Sequence, residues 1–125
     1  LRVKSNMDSG MFLPVQRAAA RMLQSDPEWY DHLRKTYARR RKTAFRIFDV
    51  LECTYVDDQQ GMFAWGRVPQ NIKAEEWSDE ILEQAEVFIT PGFIFGPAGN
   101  NYLRISLCSP EDILNEALER IIKIK

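Results

Sequence analysis

The chain has 125 residues, 45% apolar and 28% charged, with a net charge of −1. That is the profile of one soluble globular domain with a sizeable core, and it argues against a global field for nucleic acid or an acidic membrane. No apolar run nears the ~18 residues of a membrane span. Two cysteines, Cys53 and Cys108, are too few for a disulfide scaffold and lack metal-ligand spacing, and the single histidine, His32, argues against a His-based metal site or a triad hydrolase.

The overall balance conceals an asymmetry. Residues 1–50 carry 11 Lys/Arg against 5 Asp/Glu, a net of +6, and residues 51–125 carry 6 against 13, a net of −7. Most of the positive charge lies between Arg34 and Arg46. The chain begins at Leu1 with neither an initiator Met nor a signal-peptide pattern, so it reads as part of something longer.

Residues 1–13 have no clear period and hold the turn formers Asn6, Asp8, Ser9 and Gly10, which predicts an irregular entry segment. From Pro14 to Leu23, Val15, Ala18, Ala19, Met22 and Leu23 fall on one apolar stripe, the signature of a helix opened by proline. Ser25-Asp26-Pro27-Glu28 is a second helix start, with an acid near the positive end. Tyr30, Leu33, Tyr37, Ala44, Phe48 and Leu51 then recur at helical steps, which predicts one unbroken helix over 27–51. Asp57 to Gly61 is a turn between two expected strands, Cys53–Val56 and Met62–Arg67. Ser78 or Asp79 is expected to open a short helix ending at Ala85. Val87–Thr90 reads as a third strand. Six turn-forming residues between Gly92 and Asn101 follow, and Tyr102–Leu107 alternates as a fourth strand. Ser109-Pro110-Glu111-Asp112 opens the last helix in near capping-box form, with Leu114, Ala117, Leu118 and Ile121 facing inward. The order α-α-β-β-α-β-β-α predicts an α+β fold: a small, mainly antiparallel sheet of three to four strands packed against helices, with residues 1–125 as one domain.

Arg104 is the first candidate for a site. It lies mid-strand between apolar neighbours, after a glycine-rich loop, and its planar fork matches a carboxylate with two parallel hydrogen bonds. From spacing alone the commoner reading is a solvent-facing strand arginine. In the loop, Phe93 and Phe95 are expected to pack or to line a pocket, and Gly92, Gly96 and Gly99 to allow close backbone approach to a ligand. The loop is not a phosphate-binding fingerprint, because no strand-to-helix turn with Lys-Ser/Thr follows. Arg39-Arg40-Arg41-Lys42 is a possible nucleic-acid patch, but the favoured reading is the solvated face of a long helix, since no exposed aromatics are interleaved for stacking. Lys4 sits in a polar segment that suggests no desolvation, so a Schiff-base role is not favoured. Cys53 and Cys108 read as small core residues, His32 as structural, and Phe63 with Trp65 as plain packing on one strand face.

Three blocks together carry a resemblance: KSNMDSGMFLPVQRAA, QQGMFAWGRVP and VFITPGFIFGPAGNNYLRISLC. The chain resembles, from Lys4 to Ile121, the C-terminal small domain of class I/II aminotransferases, fold-type I enzymes that use pyridoxal phosphate. The most specific piece is the run from Pro91 to Ser106, which matches P-G-x-x-F-G-x-x-G-x-x-Y-x-R-I-S. The resemblance implies that Arg104 holds the substrate α-carboxylate. It implies that Ser5 and Asn6 border the active site, in several members that of the partner subunit. Phe93 departs from the small residue usual after Pro-Gly and is a further border candidate. The cofactor lysine and most of the phosphate cup belong upstream in the family, so the resemblance implies no catalytic residue and no metal in this chain. It implies a cytoplasmic parent enzyme, a homodimer, exchanging an amino group between an amino acid and a 2-oxo acid, with this chain alone inactive. Same-fold lyases, decarboxylases and synthases share the small domain and stay open as alternatives. So does a free-standing module that binds nucleic acid or an acidic partner through the basic helix, which salt-dependent binding would reveal.

Overall fold

The computed structural model describes residues 10–125, in two compact units, one ending at Leu33 and the other Arg34–Lys125. Lys4, Ser5, Asn6 and Met7 lie outside the described residues.

The first unit holds α1 (Leu13–Met22) and the start of α2 (Pro27–Val50). Pro14 stands in the first turn of α1, where its missing N–H leaves no bond unmade. The apolar stripe foreseen for this helix is present, yet none of its residues is buried, and Met11 and Phe12 just before it are exposed. The Tyr30 hydroxyl donates to the carbonyl of Met22, tying α2 to the end of α1. The start of α2 is capped as its sequence foretells, with the Asp26 carboxylate accepting from the Glu28 N–H at 3.0 Å.

Helix α2 runs unbroken for 24 residues, one short of the expected end. It stops because Glu52 turns left-handed at φ 57°, which lets the Cys53 N–H reach the Phe48 carbonyl at 2.8 Å and the Glu52 N–H reach that of Asp49 at 3.1 Å. Glycine is the usual residue at such a position, so no sequence signal marked the stop.

The second unit is built on a three-stranded sheet of β1 (Phe63–Arg67), β2 (Thr90–Pro91) and β3 (Tyr102–Ser106), in the order β1-β3-β2, with both pairings antiparallel. The expected strand Cys53–Val56 is corrected to a single bridge, Thr54 with Arg67. Its place along β1 is taken by a side chain. Gln59 accepts from the Trp65 N–H at 2.7 Å and donates to the Trp65 carbonyl at 2.8 Å, so one amide satisfies an edge residue as a strand would. The third strand is shorter and later than expected, because Val87 and Ile89 pack on the core without joining the ladder while Phe88 is exposed.

Helices α3 (Ala74–Ala85) and α4 (Glu111–Ile122) complete the unit. The start foreseen for α3 at Ser78 is corrected to Ala74. Ser78 looks like a cap in sequence, but it is buried in the helix and donates its hydroxyl to the Ile89 carbonyl at 2.6 Å. The opening of α4 has Glu111 and Asp112 in its first turn, as expected, but no side-chain cap bond.

Strand alternation divides the sheet into two faces. Ala64, Leu103 and Ile105 join Ala44, Ile47, Phe48 and Leu51 of α2, Ile81 of α3, and Leu114, Leu118 and Ile121 of α4 in the core. Gly66 allows α2 to approach closely: a Cβ there would stand 2.7 Å from the ring of Phe48. Phe63, Trp65, Tyr102, Arg104 and Ser106 fall on the opposite face and are only partly buried.

The basic run of α2 is more than a solvated face, which corrects that reading. Arg39 pairs with Glu111 at 2.8 Å, Arg40 donates to the carbonyls of Leu107 and Cys108, and Arg41 donates to that of Gly61. Three arginines thus tie the helix to the end of β3, to α4 and to the turn before β1. Lys42 alone in the run is exposed with no contact of this kind.

Candidate functional site

Arg104 sits at the centre of the sheet, on β3, with Trp65 of β1 on one side and Thr90 of β2 on the other. A residue on the middle strand is held by both ladders, so its Cα is a rigid base. Its guanidinium carbon stands over two aromatic rings, 4.2 Å from the centre of Phe63 and 4.0 Å from that of Phe95. The buried Nε has no hydrogen-bond partner, and among the described residues no carboxylate forms an ion pair with Arg104. A guanidinium carries five N–H donors in its plane, and aromatic rings satisfy its faces rather than those donors. Arg104 is thus a partly buried cation with its Nε unpartnered, and its planar fork suits a two-oxygen acceptor.

The glycine loop is shaped by its own backbone packing. Gly92 and Gly99 lie back to back: a Cβ on Gly99 would stand 2.1 Å from the Gly92 carbonyl oxygen, and one on Gly92 would stand 2.4 Å from that of Gly99. These two glycines bring backbone to backbone. Their contact folds residues 92–99 into two short 3-10 turns, and the first of these carries Phe95. Phe95 also meets Trp65 edge to face, with ring centres 5.6 Å apart, and Trp65 meets Tyr102 at 6.4 Å. Phe93, singled out from the sequence, is exposed, and the ring that reaches Arg104 is that of Phe95. Phe63 and Trp65, which read as plain packing, belong to the site face, with Phe63 against the guanidinium. Their alternation was visible; their closeness to Arg104 required the β1–β3 register.

Two hollows border this region. One of about 360 Å³ runs along the β2 side and α4, touching Thr90, Arg104, Ser106, Ile113 and Ala117. Its lining also includes the core residues Ile47 and Leu114 but neither Phe63 nor Phe95. The other, about 480 Å³, lies beside Trp65, Tyr102, Gln59 and Tyr55. The Tyr55 phenol there is pushed up to about 12, first by burial, then by its hydrogen bond to Asp49 and the charges of Asp49 and Asp57. It stays neutral near pH 7.

Other groups are unsuited to covalent chemistry. Burial pushes the Cys53 thiol up to about 12, so it holds its proton at neutral pH. Cys108 is exposed, not a core residue as the sequence suggested. In native protein at pH 8, a thiol-disulfide reagent is expected to titrate Cys108 within minutes and Cys53 only after denaturation. Rapid loss of both thiols in the native state would show that Cys53 is not sealed. His32 is exposed on α2. Among the described residues no three His, Cys, Asp or Glu are grouped to hold a metal ion, and no helix is long and apolar enough to cross a membrane.

A lysine that holds an aldehyde cofactor must be neutral, which in a protein means desolvated or set beside another cation. The described lysines, Lys35, Lys42, Lys73, Lys123 and Lys125, are all exposed. Lys73 is moved the other way, its pKa raised by the hydrogen bond to Glu76 at 2.6 Å. The described residues therefore do not fit a covalent pyridoxal phosphate site.

A small three-stranded antiparallel sheet packed against helices is the α+β architecture of a fold-type I aminotransferase fragment. The chain belongs to the aminotransferase class I and II family, whose model matches residues 2–121. Among its relatives is the LL-diaminopimelate aminotransferase of Oleidesulfovibrio alaskensis, 34% identical over 98% of this chain and 32% of that protein. The enzyme of the same name from Desulforudis audaxviator is 36% identical over 96% of this chain and 31% of its own length. In structure, the chain is similar to the aromatic aminotransferase of Pyrococcus horikoshii, with a TM-score of 0.73 and 30% identity over 88% of this chain and 30% of that one. The chain spans about a third of the length of the curated relatives it matches.

Proposed function

We propose that this chain works as the small-domain third of a longer aminotransferase, and that Arg104 holds the substrate α-carboxylate while an amino group passes between an amino acid and a 2-oxo acid. The observation that carries the proposal is the Arg104 guanidinium, centred on the sheet, flanked by two rings, with its buried Nε unpartnered. Pyridoxal phosphate, held by the rest of the enzyme, would supply the electron sink for the reaction. This chain's part is binding and orientation. The sheet fixes Arg104, the guanidinium fixes the carboxylate, and the carboxylate fixes which substrate bond faces the cofactor. The rings exclude water from one side of the ion pair. Ser5, Asn6 and Phe93 are proposed as neighbours of the same site, and the parent enzyme as a cytoplasmic homodimer. The names of the relatives make LL-diaminopimelate one amino donor to try.

The test is a panel of amino acids, LL-diaminopimelate included, offered with pyruvate or 2-oxoglutarate to the full-length enzyme that carries this segment. Transfer of the amino group to one of these 2-oxo acids, followed by the cofactor's absorbance, is the expected result. Release of ammonia or carbon dioxide without amino transfer would assign the chain to a lyase or decarboxylase of the same fold and overturn the reading.

A further inference from the structure

An arginine that binds a carboxylate must first be held still. A free arginine side chain has roughly 2 kcal/mol of rotamer entropy to lose, and whatever is not lost in advance is lost on binding. Arg104 has neither an ion pair nor a hydrogen bond at its Nε to hold it. What touches its charged end is aromatic.

The two rings come from separate elements. Phe63 lies on β1 two residues from Trp65, the direct partner of Arg104, and Phe95 comes from the 3-10 turn after β2. Both are themselves anchored. Phe63 is part of the ladder, paired with Ser106. Phe95 leans edge-on against Trp65, whose backbone is pinned at both polar groups by Gln59. Phe95 is nevertheless 53% exposed. So large a ring left half in water is poorly explained by core packing, and its contact with the guanidinium is its clearest employment.

We propose that Phe63 and Phe95 are positioning residues for Arg104, holding its guanidinium in place and desolvating its faces so that the in-plane N–H donors are presented to the substrate carboxylate. This rests on the reading of Arg104 as the carboxylate anchor. The rings touch the cation through their π faces, which attract charge but accept none of the in-plane hydrogen bonds, so they fix the group without competing with the substrate. They also lower the local dielectric, which strengthens the ion pair once formed. Aliphatic side chains of similar volume fill the space but give up the attraction.

The test uses the full-length enzyme carrying this segment, with 2-oxoglutarate or pyruvate, whichever it accepts, as the probe. Phe95→Leu and Phe63→Leu are each expected to raise KM for the 2-oxo acid about tenfold, with kcat changing far less. That fold-change lies between what an exposed and a desolvated cation–π contact supply. Phe95→Tyr, which keeps the ring, is expected to hold KM within about twofold of wild type. A purely structural role would instead lower thermal stability and the amount of active enzyme, leave KM unmoved and treat Tyr and Leu alike. If Phe63→Leu fails to fold, the half-exposed Phe95 pair of variants decides. KM within twofold in Phe95→Leu, while Arg104→Ala abolishes turnover, would overturn the positioning proposal and leave the anchor intact. Normal turnover in Arg104→Ala would remove the anchor itself.

Discussion

Arg104→Ala, made in the full-length enzyme carrying this segment, is expected to lower kcat/KM for α-amino acids by about two to four powers of ten. The basis is the cost of leaving a desolvated carboxylate without its partner, about 3–5 kcal/mol, converted at about 1.36 kcal/mol per tenfold in rate. The loss is expected both in KM and in kcat, because the same contact binds the substrate and orients it. Cofactor binding, read from its absorbance, is expected to be spared, since no described residue of this chain suits the cofactor's covalent attachment. Arg104→Lys is expected to recover only part of the loss: an ammonium keeps the charge but not the fork, and it forfeits the planar contact with Phe63 and Phe95. Steady-state kinetics on the three proteins check this. Activity within threefold of wild type in Arg104→Ala would leave Arg104 an ordinary strand arginine.

Phe48→Ala is expected to cost about 3–5 kcal/mol, the range for removing a large buried aromatic. That is a large share of the ~5–15 kcal/mol by which a domain of this size is stable. Phe48 is fully buried, and it is the ring on which Gly66 of β1 rests. Removing it opens a cavity between α2 and the sheet that neither backbone can close, because both are held by their own hydrogen bonds. Urea unfolding of the 125-residue chain, with Phe45→Leu as a milder neighbour, measures this as a fall in midpoint. A loss under 1 kcal/mol at an unchanged slope would mean that α2 does not pack on the sheet as described.

Helix α2 shows how much local sequence carries. Its cap, its apolar recurrence and its freedom from glycine and proline are statements about neighbours three or four residues apart, and the helix forms where they place it. Strand Tyr102–Ser106 and the last helix were legible for the same reason: alternation and helical period are properties of a short window. Arg104 stood out because it lies mid-strand, between apolar neighbours, just after a glycine-rich loop. The family was legible in the spacing from Pro91 to Ser106.

What failed to show locally was whatever depended on a partner distant in the chain. Cys53–Val56 has strand composition, but the Trp65 backbone groups are satisfied by the Gln59 side chain instead. Ser78 has cap chemistry, but a buried carbonyl at Ile89 claims its hydroxyl. The arginines of α2 look like a solvated stripe until carbonyls from Gly61, Leu107 and Cys108 come within reach. The site follows the same rule. Sequence by itself determined that an arginine stands mid-strand after a glycine loop, because periodicity and composition are local. Only the tertiary structure decided that the rings of Phe63 and Phe95 meet its guanidinium and that Gly92 and Gly99 press against each other, because sheet register and loop closure bring together residues with no fixed relation along the chain.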